Sequence, residues 1–483
     1  MKQMLFLGSF PASYFVRHPK WKWFILSTVL VGATMSALDV SIVNVAMPTL
    51  ENGFQVDLAT IEWVAMAYML TLTIFLPLFG RLADMMGRTK LYNMGFVIFV
   101  IGSALCGMAS TAGFLIGARI VQAIGAGLLQ ANSVAIITEA FPENELGRAI
   151  GLQGATQAVA MAIGPFLGGI LITTIGWRSI FYINVPIGVV GTIAALYILP
   201  KSTVHKKEKI DYWGTLSFST GLAFLILGFN QAGRAGWTSV TIISYFSIAV
   251  VLLTAFLIVE RKVACPMIDL SLFRQWTFSS GNLMGLFSYY ILFAVLFFMP
   301  FYFERILKLS PAMAGLYLTA VPVAMAAMAP ISGYVADKYG AKIMTTSGMI
   351  ACACSTLLLS SIDHLANSYI LWGALITLGI GMGLFTPPNN SCIMCSVPKN
   401  RLGVAGGILN MMRSLGLIFG VALSGLLLML AQQHYMTNHP LEPGITSLSL
   451  YDSAFLYGFR LVMLTLVAIS LVTVGLSVSK NRQ

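Results

Sequence analysis

Fourteen long apolar runs dominate this chain of 483 residues, and they restrict it to one kind of fold. They fall at 24–48, 59–79, 91–111, 114–138, 148–173, 179–200, 212–232, 238–259, 277–300, 311–332, 343–361, 368–388, 402–430 and 453–478. A helix needs ~20 apolar residues to cross the hydrocarbon of a bilayer, and each run is about that long. The connections between them are mostly too short to fold alone, so no soluble domain is expected. The chain is 58% hydrophobic and 9% charged, with a mean hydropathy of +0.85. Soluble chains carry about 25% charged residues. The expected fold class is therefore all-α and integral to a membrane.

The formal net charge is +11, an excess that in another chain would suggest a polyanionic partner. Its distribution argues against nucleic acid. With the N-terminus placed in the cytoplasm, almost all of the 28 Lys and Arg fall in the N-terminal arm, the even-to-odd loops or the C-terminal tail. The exceptions are Arg119, Arg178, Arg234, Arg305, Lys308, Arg413 and Arg460. That is the positive-inside asymmetry. It predicts cytoplasmic termini in a plasma (bacterial inner) membrane, with lipid as the anionic neighbour. The arm from Met1 to Trp23 lacks a small-residue cleavage pattern, so it does not read as a removed signal peptide. Trp21 and Trp23 suit an interfacial anchor.

Asp39 is the only charge in the run 24–48. A carboxylate at membrane depth costs at least ~2.5–3.5 kcal/mol on insertion scales, and its default meaning is a proton or ion pathway. The bland alternative is a carboxylate tied up by Ser36 and Ser41. Arg119, inside the fourth run, is the natural counter-charge, because a guanidinium does not shed its proton. It could instead be a structural arginine that satisfies carbonyls. A nearby cation favours the ionised form of a carboxyl and desolvation disfavours it, so alternation between the two would load and release a proton. Asn44, Tyr68 and Gln122 are expected to complete a polar network around the pair. Arg413 and Asn410, one turn apart in the thirteenth run, would bind substrate or lock the second half. Asp39 is the only carboxylate expected deep in a span; Glu62 and Glu304 are expected near the outer face.

The loop after the second run reads Gly80-Arg-Leu-Ala-Asp84-Met-Met-Gly87-Arg88-Thr-Lys90. The loop after the tenth reads Gly333-Tyr-Val-Ala-Asp337-Lys-Tyr-Gly340-Ala-Lys342. Both carry G-x-x-x-D-x-x-G followed by a basic residue, 253 positions and eight helices apart. Two copies in equivalent places indicate two related halves, a transporter design. Six helices per half would give an offset of six, so two helices, the seventh and eighth, are read as inserted. The expected organisation is residues 1–200 as one six-helix half, 201–275 as the inserted pair with its flanking loops, and 276–483 as the second half. The glycines would let helix ends approach closely, and Asp84 could accept from a neighbouring helix N-terminus. Arg88 and Lys90 would pair with Asp84 or face anionic lipid.

At this point the chain resembles the major facilitator superfamily, and in particular its fourteen-helix drug:proton antiporter branch. The resemblance covers nearly the whole chain. One stretch is Leu38-Asp39-Val-Ser-Ile-Val-Asn44-Val-Ala-Met-Pro48, similar to the branch's first-helix motif; the repeated loop is another. Arg119-Ile-Val-Gln122-Ala-Ile-Gly125 matches R-x-x-Q-G-x-G except at Ala123. Gly154 through Gly164-Pro165-Phe-Leu-Gly168-Gly169 resembles the fifth-helix motif of antiporters as opposed to symporters. Trp177-Arg178-Ser-Ile-Phe181-Tyr-Ile-Asn184-Val-Pro186 is also similar to the branch, and Ser310–Gly315 and Asn410–Gly416 agree more loosely. Glu304 stands where many relatives carry an amide. Gly164-Pro165 should bend the fifth helix, and the surrounding small residues should pack it tightly.

The resemblance implies a secondary exporter, driven by proton influx, of amphipathic organic compounds. A dedicated exporter of one endogenous metabolite, such as a siderophore, is the alternative, and a proton-coupled importer is a third. Met and Phe, 26 and 30 copies, suit a promiscuous apolar cavity. No cofactor or metal is expected. The histidines His18, His205, His364, His434 and His439 all lie in loops or at span ends. Cys392 and Cys395 form a single CxxC without the second pair a zinc site would want. No Gly-Lys dipeptide occurs, so a Walker A loop is absent and the chain is not an ATPase. A periplasmic adaptor partner is left open by the sequence.

Overall fold

The computed structural model describes residues 21–200, 212–263, 270–363, 367–398, 402–439 and 447–479. The expectations about the N-terminal arm before Trp21, the basic 201–209 segment, Cys265 and the C-terminal tail fall outside the described residues, as do the side chains of Asp84 and Asp337. Fourteen long helices are present among the described residues. They are α1 Trp21–Phe54, α2 Leu58–Met86, α3 Arg88–Gly107, α4 Ala112–Ala140, α5 Glu143–Thr174 and α6 Ser179–Ile198. Then follow α7 Tyr212–Ala235, α8 Val240–Lys262, α9 Trp276–Ile306, α10 Pro311–Tyr339, α11 Ala341–Ser360, α12 Ser368–Cys395, α13 Leu402–Asn438 and α14 Ser447–Ser479. Thirteen of them are long and apolar enough to cross a membrane. The exception is α7, in which Thr215, Ser217, Ser219, Asn230 and Gln231 dilute the apolar surface.

Several helices outrun their apolar stretches. The first run was expected to end at Pro48, yet α1 continues through it to Phe54. In α9 the α-helix passes Pro300 to Phe301 and widens into a π turn over Tyr302–Ile306. A backbone that lacks an N–H or leaves a carbonyl free near lipid is re-satisfied by such local adjustment. Polar ends likewise stay helical, because every unpaired backbone group there would otherwise need water.

The repeat read from the loops extends into the helices. α2 and α3 contain 29 and 20 residues, and α10 and α11 contain 29 and 20. A Cβ at Gly95 of α3 would stand 3.0 Å from the Gly125 carbonyl of α4. Gly348 of α11 makes the same close approach to the Gly381 carbonyl of α12, at 2.6 Å. Only glycine permits backbones to come this near.

The first six and last six helices meet along α5 with α10, α2 with α13, and α1 with α9. A side chain at Gly169 of α5 would collide with the backbone of Pro311 and Ala312 on α10, and one at Gly315 of α10 with the Pro165 carbonyl of α5. These contacts lie toward the end of the bundle that carries Glu51 and Arg305. Toward the other end, Gly80, Gly154 and Gly333 have no neighbouring atom within 4 Å of where a side chain would begin. α5 and α10 are thus interlocked backbone to backbone near the first of these ends. α7 and α8 pack mainly on each other and touch the rest through α2 and α13.

Candidate functional site

Asp39 lies on α1 and is fully buried; Arg119 lies on α4 and is 2% exposed. Arg119 Nη1 donates to Asp39 Oδ2 at 2.5 Å. The same nitrogen bonds Gln122 Oε1 at 2.5 Å, and Nε donates to the Val64 carbonyl of α2 at 3.2 Å. The guanidinium stacks over the Tyr68 ring with its carbon 4.0 Å from the centroid. Such stacking suits the planar guanidinium. Asp39 Oδ1 receives two further donors, Gln122 Nε2 at 2.8 Å and Asn184 Nδ2 at 3.0 Å. Gln122 also donates to Ser103 Oγ at 2.8 Å. Five helices, α1 to α4 and α6, therefore converge on one ion pair.

A spacing of three residues puts Arg119 and Gln122 on the same face of α4, which explains why both reach Asp39. Gly102 of α3 makes room for Gln122, since any side chain there would collide with its backbone and Cβ. The charges are balanced in the pair, and each carboxylate oxygen has a donor. A buried pair meets its desolvation penalty only under those conditions.

The expected alternative for Asp39 is not what the structure holds. Ser41 Oγ donates to the Leu38 carbonyl at 3.0 Å, and Ser36 Oγ accepts from Gln130 at 2.8 Å. Asn44 does not join the network either. It is buried among Val40, Ser41, Met161, Pro165 and Leu292 around a small apolar cavity of about 40 Å³ between α1, α5, α9 and α10. Five residues turn it about 140° round the helix from Asp39. Organic ligands usually occupy ~300–1,000 Å³, so this cavity is too small to hold one. Arg413 and Asn410 form a separate group: Arg413 donates to the Tyr289 hydroxyl and to Asn410 Oδ1, the latter at 3.5 Å, and stacks over the Tyr289 ring.

Sequence reasoning missed Asn184 and Ser103 as parts of the site. Asn184 stands in the Trp177–Pro186 stretch and is fully buried; its lone amide in an apolar run was the available signal. Glu62 was expected near the outer face, and the structure buries it to 1% exposure. On α5, side chains at Gly164 and Gly168 would strike Ser41 and Ile42 of α1, whereas Gly154 is free of such contact. Arg88 donates to Glu139 at the end of α4 at 2.8 Å, half-exposed. Glu304 and Arg305, from the π turn of α9, line a charged vestibule of about 550 Å³ with Glu51, Lys308 and Asp452. Across it, Arg305 Nη2 stands 3.8 Å from Glu51 Oε1.

A bundle of helices long and apolar enough to cross a membrane, with a repeated helix pair, an interlocked α5–α10 seam and a buried ion pair, has the architecture of a transporter. The chain belongs to the Major Facilitator Superfamily, whose sequence profile matches residues 29–421. It is 38% identical over 405 residues to the riboflavin transporter RibZ of Clostridioides difficile (strain 630), covering 83% of this chain and 87% of that one. It is 31% identical to the multidrug transporter protein MdtP of Bacillus subtilis (strain 168), over 89% of this chain and 80% of the relative. The multidrug resistance protein Stp of Mycobacterium tuberculosis (strain CDC 1551 / Oshkosh) is also 31% identical, over 82% and 74% of the two chains. Among solved structures, a bacterial homologue of the human lysosomal transporter Spinster superposes with a TM-score of 0.70 at 15% identity, covering 96% of this chain and 98% of that one. The nucleoside transporter NupG superposes with a TM-score of 0.65 at 13% identity, covering 96% and 100%.

Proposed function

We propose that this transporter exports amphipathic organic compounds in exchange for protons, with Asp39 as the proton carrier and Arg119 as its counter-charge. The observation that carries the reading is the buried Asp39–Arg119 pair, 2.5 Å apart and surrounded by amides. Protonating Asp39 cancels one charge and leaves the other, because the guanidinium keeps its proton. Leaving one member of a buried pair unmatched costs about 3–5 kcal/mol. The energy drives Arg119 toward a new partner and with it a new arrangement of α1 and α4. Alternating access follows from coupling that local switch to a seam with two packings.

In this reading residues 1–200 and 276–483 are the rocking halves and residues 201–275 the inserted pair. The termini and the Gly80–Arg88 and Gly333–Gly340 loops face the cytoplasm of a bacterial inner membrane. The sealed Glu51–Arg305 end is then the external one. Asp84 and Asp337 would help to hold the cytoplasmic ends together in the opposite state. Gly164, Pro165, Gly168 and Gly169 form the rigid contact about which α5 moves. The relatives MdtP and Stp support a broad organic substrate range.

A second reading is a dedicated transporter of one metabolite, favoured by the 38% identity to a riboflavin transporter. Everted vesicles incubated with a panel that includes cationic dyes and riboflavin, with and without a proton gradient, separate the two. Gradient-dependent uptake of several unrelated compounds supports the first. Uptake of riboflavin alone supports the second, and uptake indifferent to the gradient overturns the proton coupling.

A further inference from the structure

Glu62, on α2, is a second buried carboxyl that the Asp39 site does not use. It is 1% exposed, and its setting differs from that of Asp39 in every respect that matters to charge. Asp39 has a guanidinium and two amides. Glu62 Oε2 receives one amide, Asn230 Nδ2 of α7 at 3.2 Å, and Oε1 has no hydrogen-bond partner. Asn230 also donates to the Ala59 carbonyl at 3.0 Å and accepts from Trp63 Nε1 at 2.8 Å, so its orientation is fixed. On the third side stands Gly425 of α13, where any side chain would collide with the Glu62 carboxyl. Glu62 thus sits in the α2–α13 seam, between the first six helices, the last six and the inserted pair.

Among the described side chains no cation pairs with it. Glu51 on α1, itself 3.8 Å from Arg305, repels an ionised Glu62. Asp57, the residue that precedes α2, is exposed and accepts from Thr60. Arg119 of α4 reaches the α2 backbone at Val64, but its charge is matched by Asp39. On α13 no charged residue lies between Arg413 and His434. From α9, Tyr290 accepts from Ser424 beside Gly425. On α7 the nearest charged residue in sequence is Arg234, whose side chain lies outside the described residues. A carboxyl this deeply buried, with one neutral donor and a repelling neighbour, fits its surroundings as the neutral acid.

We propose that Glu62 is a second proton-binding site, and that its neutral acid seals the α2–α13 seam while its ionisation opens it. The ionised form needs water and can gain it only by parting from Gly425, so proton loss and opening are one event. The closed state binds one more proton than the open state, and the closed population therefore falls as pH rises, by about tenfold per pH unit above the midpoint. For transport, the site would collect a proton at the open Glu51–Arg305 end and carry it into the closed state. That role rests on the proton-coupled reading above, whereas the seam itself is measured without transport.

The test uses spin labels at Asn52→Cys on α1 and Thr437→Cys on α13, in a chain whose native cysteines are replaced. Distances are read by double electron–electron resonance in lipid nanodiscs from pH 5.5 to 8.5. Wild type should pass from a short to a long distance as pH rises. Glu62→Gln should remain short at every pH, because the amide fits the seam and cannot ionise. Gly425→Ala, which crowds the carboxyl, should shift the transition to lower pH. A Glu62→Gln protein that opens with the wild-type pH dependence, or one that is open throughout, overturns the proposal. So does a wild-type distance that ignores pH. Failure of the coupling reading would show elsewhere, as proton-driven efflux that survives Asp39→Asn, and would leave the seam result standing.

Discussion

Gly87 and Gly340, 253 positions apart, make the same turn. Their φ angles are 97° and 89°, and each donates its N–H to the carbonyl four residues back, Ala83 and Ala336, at 2.9 Å. Each separates a 29-residue helix from a 20-residue one. Side chains with a Cβ rarely adopt such angles, and forcing one costs of order 1–3 kcal/mol. Gly87→Ala and Gly340→Ala should each lower the thermal unfolding midpoint in detergent. Gly80→Ala and Gly333→Ala, in the same motif but with open space around them, should leave it unchanged. Equal effects at all four positions would show that the motif's glycines are not divided in this way.

Asp39→Asn should abolish proton-driven efflux, a loss of at least about tenfold corresponding to ~1.4 kcal/mol or more in the transition-state balance. Substrate binding should persist, since the amide has the shape of the protonated acid. Proteoliposomes reporting substrate-induced proton release alongside efflux provide the check. Proton movement that continues in the variant would place coupling at another carboxyl.

Arg119→Lys preserves the charge and should still fail. The guanidinium reaches Asp39, Gln122 and the Val64 carbonyl at once and stacks on Tyr68. A lysine ammonium is a compact point charge without that fork. Efflux at matched membrane abundance should fall by about tenfold or more, the ~1.4 kcal/mol equivalent. Full activity in the lysine variant would reduce the role of Arg119 to charge alone.

Gly164→Leu should hinder export, because the new side chain meets Ser41 and pushes α5 off α1. Overpacking of this kind typically costs ~1–3 kcal/mol. Gly154→Leu is the control on the same helix, since nothing lies within 4 Å of a Cβ there. Transport rates for the two variants, normalised to folded protein, should differ clearly. Indistinguishable rates would remove the packing of α5 from the account.

Much of this was legible before any coordinates. Lone charges in apolar runs singled out Asp39 and Arg119, and Gln122, in the R-x-x-Q stretch, was expected in the polar network around them. The repeated loop announced two related helix pairs. What periodicity within one helix cannot supply is which faces of separate helices meet. Asn44 was grouped with Asp39 because both lie on α1, although the turn of the helix sends Asn44 into the apolar cavity. Asn184 reaches Asp39 from 145 residues away. Glu62 was read by its depth along the chain, while its burial is set sideways by α7 and α13. Arg413 and Asn410 pair with Tyr289 and each other, a group whose place relative to Asp39 depended on the packing of α9.

The hydrogen bonds of Asn230 have a consequence for how this architecture can change over time. In the reading proposed above, the helix pair α7–α8 lies outside the two six-helix halves and would look dispensable by topology. Yet one amide from it satisfies a buried carboxyl, a backbone carbonyl and a tryptophan N–H on α2. Without Asn230 the Glu62 carboxyl and the Trp63 N–H would lose the partner they have on α7, so removing the pair would call for replacement of Glu62 and Trp63 as well.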